Sequence, residues 1–333
     1  MTGKSDNPFH QWVQLEQPRL GSRVVFATDD FFAAKERLIQ PSEPEFIPDK
    51  YDDHGKWMDG WESRRKRTPG HDHCIIRLGI PGVVHGIDID TRHFTGNYPP
   101  EASLEACRSD EDEPAADTGW TELLPRSPIG GDAHHYFEIG DDRAWTHLRL
   151  HIYPDGGVAR LRVFGEVRPD WSDASDDEVL DLVALENGGR ALCCNDEHFG
   201  SMHNLNVPGR GINMGDGWET ARRRVPGNDW VILALGHPGI VERVEIDTAH
   251  FKGNYPDRAA IQAAMADDAD LRNIEAASRS WAVLLPECKL KMDQQHFFEQ
   301  DLNPVGPVSH VRLSIFPDGG ISRLRLFGRL ARG

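Results

Sequence analysis

Apolar residues fall at alternate positions over short runs of this chain, as in "HLRLHIY" (His147–Tyr153), "ARLRV" (Ala159–Val163) and "IDID" (Ile87–Asp90). A period of two puts one set of side chains on a single face of a strand. "RVVFAT" (Arg23–Thr28) and "CIIRLG" (Cys74–Gly79) add short runs rich in β-branched and aromatic residues. Pro-Gly, Gly-Asn and Pro-Asp-Gly-Gly stretches bound these runs, and the Pro-Asp-Gly-Gly turn joins two of them as a hairpin would. Helical patterns are confined to Asp176–Leu185, stopped by Gly188 and Gly189, and to Asp257–Ala266. Many strands at this spacing with few short helices predict an all-β antiparallel sandwich; the strand–helix alternation of an α/β fold is missing.

The pattern is written twice. "DTRHFTGNYP" begins at Asp90 and "DTAHFKGNYP" at Asp247, an offset of 157. "GSRVVFATDDFF" (Gly21–Phe32) matches "GGRALCCNDEHF" (Gly188–Phe199) at 167, and "DGWESRR" (Asp59–Arg65) matches "DGWETAR" (Asp216–Arg222) at 157. "WTELLP" and "HHYFE" recur at 161, and "HLRLHIYPDGGVARLRVFG" (His147–Gly165) recurs at 163 with 13 of 19 positions identical. Blocks that keep their order while offsets drift are a duplicated domain with length changes in its loops. "VRPDWSD" (Val167–Asp173) marks the boundary, so the first β-sandwich repeat is expected over 1–167 and the second over 168–333.

A duplication lets the chain be compared with itself. Apolar positions shared by the halves are explained by two equivalent cores, whereas shared polar positions ask for a further reason. Asp155/Asp318 suit a turn cap, and Arg149/Arg312 with Arg160/Arg323 suit strand positions facing solvent or a neighbouring carboxylate. Asp90/Asp247 can cap a turn. In "DGWESRR" a buried Trp61 would let the loop present Glu62 and Arg65 together, although an ion pair between them is the plainer alternative. In "TRHFTGNYP" Phe94 and Tyr98 can be buried while His93 and Asn97 point elsewhere, or His93 is a satisfied turn histidine. Asp29-Asp30, like Asp196-Glu197, ends a strand and can coordinate a cation, share a proton or cap the next segment.

Charge and composition narrow the field. With 37 Lys and Arg against 54 Asp and Glu, the net charge of −17 repels phosphate backbones and anionic lipids, so neither nucleic acid nor a membrane is an expected partner. The sequence offers no apolar run of spanning length and no apolar signal core, which points to the cytoplasm. Five scattered cysteines without a C-x-x-C pair signal neither a disulfide framework nor a zinc site. No phosphate-binding Gly loop, H-E-x-x-H or nucleophile elbow is written here.

Taken together, "VVFATDDFFA", "DGWESRRKR", "IDTRHFTGNYP" and "YPDGGVARLRVFG", duplicated in this order over essentially the whole chain, resemble the allantoicase family. The resemblance implies two tandem jelly-roll β-sandwich domains of the galactose-binding type, homo-oligomers, and hydrolysis of allantoate to ureidoglycolate and urea. One departure is "GHDHC", where His73 stands against Trp230 of the second copy's "GNDWV".

Allantoate carries a carboxylate and two ureido groups on one carbon, so its pocket needs a guanidinium and acceptors for ureido N–H groups. Arg65 and Arg222 suit the carboxylate, and Asn97, Asp30, Asn254 and Glu197 are the further substrate-binding candidates. Expelling urea needs one proton delivered and another removed. Glu62/Glu219 and His93/His250 are the acid and base candidates, with Asp29/Asp196 orienting one of them. No cofactor is required by this pattern, and a divalent metal stays open. The competing expectation is a non-catalytic tandem sandwich that binds carbohydrate or another small ligand at its loops through Trp57, Trp61 and Trp218.

Overall fold

The computed structural model describes residues 7–9, 11–171, 174–175, 177–266 and 271–331. Asp176, where the first predicted helix starts, and Ser172 and Asp173 of the boundary segment lie outside the described residues. The chain divides into two compact units, Lys4–Arg168 and Pro169–Gly333.

Each unit is an eight-stranded antiparallel sheet of the same strand order. In the first unit the order is Val13–Gln14, Arg160–Val167, Asp72–Asp90, Ala144–Tyr153, Glu101–Cys107, Thr121–Pro128. Arg23–Ala27 and Tyr136–Glu138 also pair with Asp72–Asp90. That long strand changes neighbours along its length. Asp72–Arg77 pairs with His147–Ile152 and Arg23–Ala27, whereas Gly82–Asp90 pairs with Arg160–Val167 and Tyr136–Glu138. One strand thus serves both layers of the sandwich, and the alternating residues Ile87, Ile89, Leu148, Leu150, Leu161 and Val163 are fully buried between them. The second unit repeats this with Asp229–Asp247 as its long strand. Val231, Leu233, Ile246, Val311, Leu313 and Leu324 belong to its core.

Among the described residues neither predicted helix is an α-helix. Within the first, Leu180–Asp181 pairs with Phe327–Gly328 as a strand, and Leu185–Asn187 is a single 3₁₀ turn. Within the second, Asp257–Ala266, the stretch Arg258–Ala264 is a strand between Val308–Phe316 and Ala282–Lys289. Its alanines carry high helix propensity, but Ala259, Ile261 and Ala263 alternate into the core, and sheet pairing overrides propensity. The α-helix among the described residues is Leu271–Ser278, which packs Ile274 against Trp230 and Trp281 on the outer face of the second sheet.

Candidate active site

The site of the first repeat is built on the two-residue strand Trp61–Glu62, which pairs with Gly157–Val158. Trp61 is fully buried, and its indole N–H donates to the Asp29 carbonyl at 2.8 Å. Just upstream, Asp59 meets the fully buried Arg160 at 2.7 Å, and the same guanidinium donates to the carbonyls of Asp59, Ala159 and Ser42. Arg160 was expected at a solvent face or beside a carboxylate; the structure gives it the carboxylate and no solvent. Downstream, the Asp155 carboxylate accepts the Lys66 backbone N–H at 2.7 Å, so this turn aspartate holds a neighbouring loop rather than its own turn. Glu62 is therefore fixed from both sides by buried polar contacts.

The repeated phrase forms the opposite wall. Phe94 is fully buried against the backbone of Gly157, where an added Cβ would lie 2.0 Å from the ring. That close approach brings the Asn97 carbonyl to the Gly157 N–H at 2.7 Å and the Asn97 amide to Glu62, with Nδ2 donating to Oε1 at 2.7 Å. His93 adopts a left-handed backbone, φ 71°, which costs a non-glycine residue about 1–2 kcal/mol. Asp132 accepts the His93 backbone N–H at 2.8 Å and holds that turn. The ring Nε2 sits 3.1 Å from the Pro44 carbonyl, which can only accept, so Nε2 carries a hydrogen and Nδ1 is left to take or give a proton.

The second repeat reproduces each contact. Trp218 donates to the Asp196 carbonyl at 2.9 Å, Arg323 pairs with Asp216 at 2.7 Å, and Arg223 N–H donates to Asp318 at 2.9 Å. Asn254 donates to Glu219 Oε1. His250 has φ 71°, its N–H held by Asp293 at 2.8 Å and its Nε2 donating to Gly211 at 2.8 Å.

Each repeat has a cavity of about 480 Å³ at its Glu–Asn pair, and the two differ in lining. In the first, Glu62, His93 and Asn97 are joined by Phe32, Phe46, His54, Lys56 and Asp132. In the second, Glu219, Asn254 and Arg222 are joined by Phe199, Asp257 and Asp318. Burial raises the Glu62 carboxyl above the ordinary glutamate range, and the Asn97 N–H pulls partly the other way. Arg65 is exposed and is not among the residues lining the first cavity, nor is His250 among those lining the second.

Asp29 takes a different place from the one expected. Its carboxylate accepts the Arg64 N–H at 2.9 Å and Arg64 Nε at 2.7 Å, and it bonds neither Glu62 nor His93. Burial works against the Asp29 anion, but these hydrogen bonds from the Arg64 side chain and backbone outweigh it and hold the carboxyl below the usual range. Asp196 likewise accepts the Ala221 N–H. Asp30 lies 3.7 Å from Lys35, and Glu197 accepts from Ser201 Oγ and the Met202 N–H. These four acids brace the loops; none lines either of the two cavities at the Glu–Asn pairs. His135 and His296, also shared by the repeats, are satisfied by backbone on both ring nitrogens. Among the described residues no group of three or more His, Cys, Asp or Glu is placed to hold a metal ion.

Asp132 has a counterpart in Asp293, just ahead of the block that begins at His134, whereas Lys56, His54 and Phe46 escaped the comparison of halves because they lie in a stretch that the second repeat lacks. The signal that could have found them is the drop in offset from 167 to 157, which makes the first repeat ten residues longer just before "DGWESRR".

The Allantoicase repeat profile matches residues 13–168 and again 180–331. The chain belongs to the allantoicase family. A probable allantoicase of Pseudomonas aeruginosa (strain UCBPP-PA14) is 58% identical over 321 residues, 96% of this chain and 97% of that protein. Probable allantoicase 2 of Burkholderia pseudomallei (strain K96243) is 56% identical over 321 residues, 96% of each. The crystal structure of allantoicase from Saccharomyces cerevisiae superposes with a TM-score of 0.79 at 36% identity, covering 95% of this chain and 92% of that one. The all-β architecture of two similar sheet domains is thus that of allantoicases, and a non-catalytic carbohydrate-binding role is not favoured.

Proposed function

We propose that this chain hydrolyses allantoate to ureidoglycolate and urea, with the chemistry at the Glu–Asn pair of the repeats. The observation that carries the reading is the convergence of Glu62, Asn97 and His93 on one cavity, with the same carboxylate–amide pair rebuilt by Glu219 and Asn254.

In the reaction one C–N bond to the central carbon breaks and one C–O bond forms. A proton must reach the departing ureido nitrogen, and water must lose one. Glu62, held as a carboxylate by the Asn97 N–H inside a cavity that raises its basicity, takes the proton from water. His93, its Nε2–H tied to the Pro44 carbonyl, acts in its imidazolium form and delivers the Nδ1 proton to the departing nitrogen, leaving the ring neutral. The Asn97 backbone carbonyl accepts the Gly157 N–H while its side-chain amide donates to Glu62, which sets the carboxylate's angle. Asp29 and Asp196 position the loops that carry the glutamates. In the second repeat Arg222 lies beside Glu219 and Asn254 and suits the substrate carboxylate there.

The setting proposed is cytoplasmic purine breakdown by a homo-oligomer, acting on a small molecule and on neither nucleic acid nor membrane. Urea release from allantoate by the purified protein is the test, with the double variant Glu62→Gln and Glu219→Gln as its control for mechanism. An unchanged rate in the folded double variant would remove the glutamates from the chemistry. The same assay with and without a chelator decides whether a divalent ion takes part.

A further inference from the structure

We propose that Lys56, on a hairpin carried by the first repeat, is the cation that binds the substrate carboxylate in that repeat, so that the two repeats hold the same anion with different side chains. The inference rests on the allantoate reading above and deepens it.

From Phe32 to Asp59 the first repeat spends 27 positions, and from Phe199 to Asp216 the second spends 17. Part of the longer stretch is the hairpin Tyr51–Asp52 with Gly55–Lys56, in which Asp52 pairs with Gly55. A loop added beside a binding site is tolerated by the fold and free to change what the site holds. This one is anchored at its base, because Asp59 accepts the Glu45 N–H at 2.9 Å and Arg160 donates to the Ser42 carbonyl at 3.0 Å. His54, Gly55 and Lys56 are thereby set in the wall of the cavity that holds Glu62, His93 and Asn97.

The cavity needs a cation, and Arg65 does not line it. Among the described residues Lys56 is the one Lys or Arg in its lining. No carboxylate among the described residues forms an ion pair with Lys56. Its ammonium lies 4.4 Å from the centre of the Phe46 ring, and that ring stacks on His93 with centroids 5.9 Å apart. A cation resting on an aromatic face keeps its charge uncompensated and loses little on turning to an anion. Phe46 thus meets both the ammonium and the His93 imidazole in the wall of the cavity, so a substrate bound by its carboxylate at Lys56 would direct its ureido arms toward Glu62 and His93. Among the described residues of the second repeat no hairpin stands between Phe199 and Asp216, Met214 Sδ stands 3.9 Å from Asn254 Nδ2, and the cavity there lies on the Thr220, Asp318 and Gly319 side of the Glu219–Asn254 pair with Arg222 in its lining.

The test uses the full chain in a Glu219→Gln background, so that turnover reports the first repeat. Lys56→Met is compared with Lys56→Arg, using allantoate as substrate and its neutral carboxamide as competing inhibitor. We expect Lys56→Met to raise KM for allantoate by about 10- to 100-fold with a smaller change in kcat, the loss of one charge-assisted contact. The preference for carboxylate over carboxamide should disappear in Lys56→Met and survive in Lys56→Arg. A structural lesion would lower activity without erasing that preference. Unchanged KM and preference in Lys56→Met, or no turnover at all in the Glu219→Gln background, overturns the inference while leaving wild-type hydrolysis intact. Absence of urea release by the wild-type chain overturns the allantoate reading itself.

Discussion

Asn97 Nδ2 donates to Glu62 Oε1 at 2.7 Å, and Asn254 makes the same bond to Glu219 one repeat later. The bond joins the two most distinctive shared phrases of the sequence, "DGWE" and "HFxGNYP", across the turn where Gly157 admits Phe94. It also sets the protonation of the proposed base. Burial favours the neutral carboxyl and the amide donor favours the anion, so removing the donor must raise the Glu62 pKa further. In Asn97→Ala the acidic limb of the kcat/KM profile should therefore move to higher pH, since a base is lost on protonation. An acidic limb that stays in place or moves down would separate Glu62 from the base role.

The Arg160–Asp59 pair is a second point of leverage. Arg160 has no solvent exposure and satisfies Asp59 at 2.7 Å along with three carbonyls. Arg160→Met would strand a buried carboxylate and those carbonyls, a loss on the order of 3–5 kcal/mol. Calorimetry should show the first repeat melting earlier while the second, held by its own Arg323–Asp216 pair, keeps its transition. Equal shifts in both, or none, would refute the anchoring role.

Packing at Gly157 can be tested without touching a charge. A Cβ there would meet the Phe94 ring at 2.0 Å, with no room for either to move in a close-packed wall. Gly157→Ala should cost about 1–3 kcal/mol by overpacking and push the His93–Asn97 turn away from Glu62. The expected result is a loss in kcat larger than the change in KM, read from allantoate kinetics on the folded fraction. A variant with wild-type stability and rate would show that the close approach is not needed.

Much of this arrangement was legible in the residues, for physical reasons. Strand alternation and the double text gave the sandwich architecture, because a period of two and a repeated block each have few structural solutions. Glu62, Asn97 and His93 stood out because they are polar residues that a duplicated core does not require. The rest was hidden for equally specific reasons. Alanines in Arg258–Ala264 resemble a helix until their partner strands are known. Asp29 differs from a catalytic acid only in what it touches, and it touches Arg64. Lys56 sits in an insertion, where comparing the halves is silent.

A final expectation concerns stability and pH. Glu16 is fully buried, with its Oε2 accepting the Val163 N–H at 2.9 Å and Arg162 3.6 Å from Oε1. Burial pushes its carboxyl from 4.5 up to about 7, against the opposing pull of Arg162. The sign follows from proton counting. Between pH 4.5 and about 7 the unfolded chain has released this proton while the folded chain still holds it, so folding loses stability as pH rises through that window and levels off above it. The full change is roughly 3 kcal/mol for a shift of this size. Glu16→Gln cannot titrate, so its stability relative to wild type should climb from pH 4.5 to 7 and then stay constant. Denaturant midpoints of the first repeat at pH 5 and pH 8 measure it, and a wild-type-to-variant difference independent of pH would mean that Glu16 is already ionised in the fold.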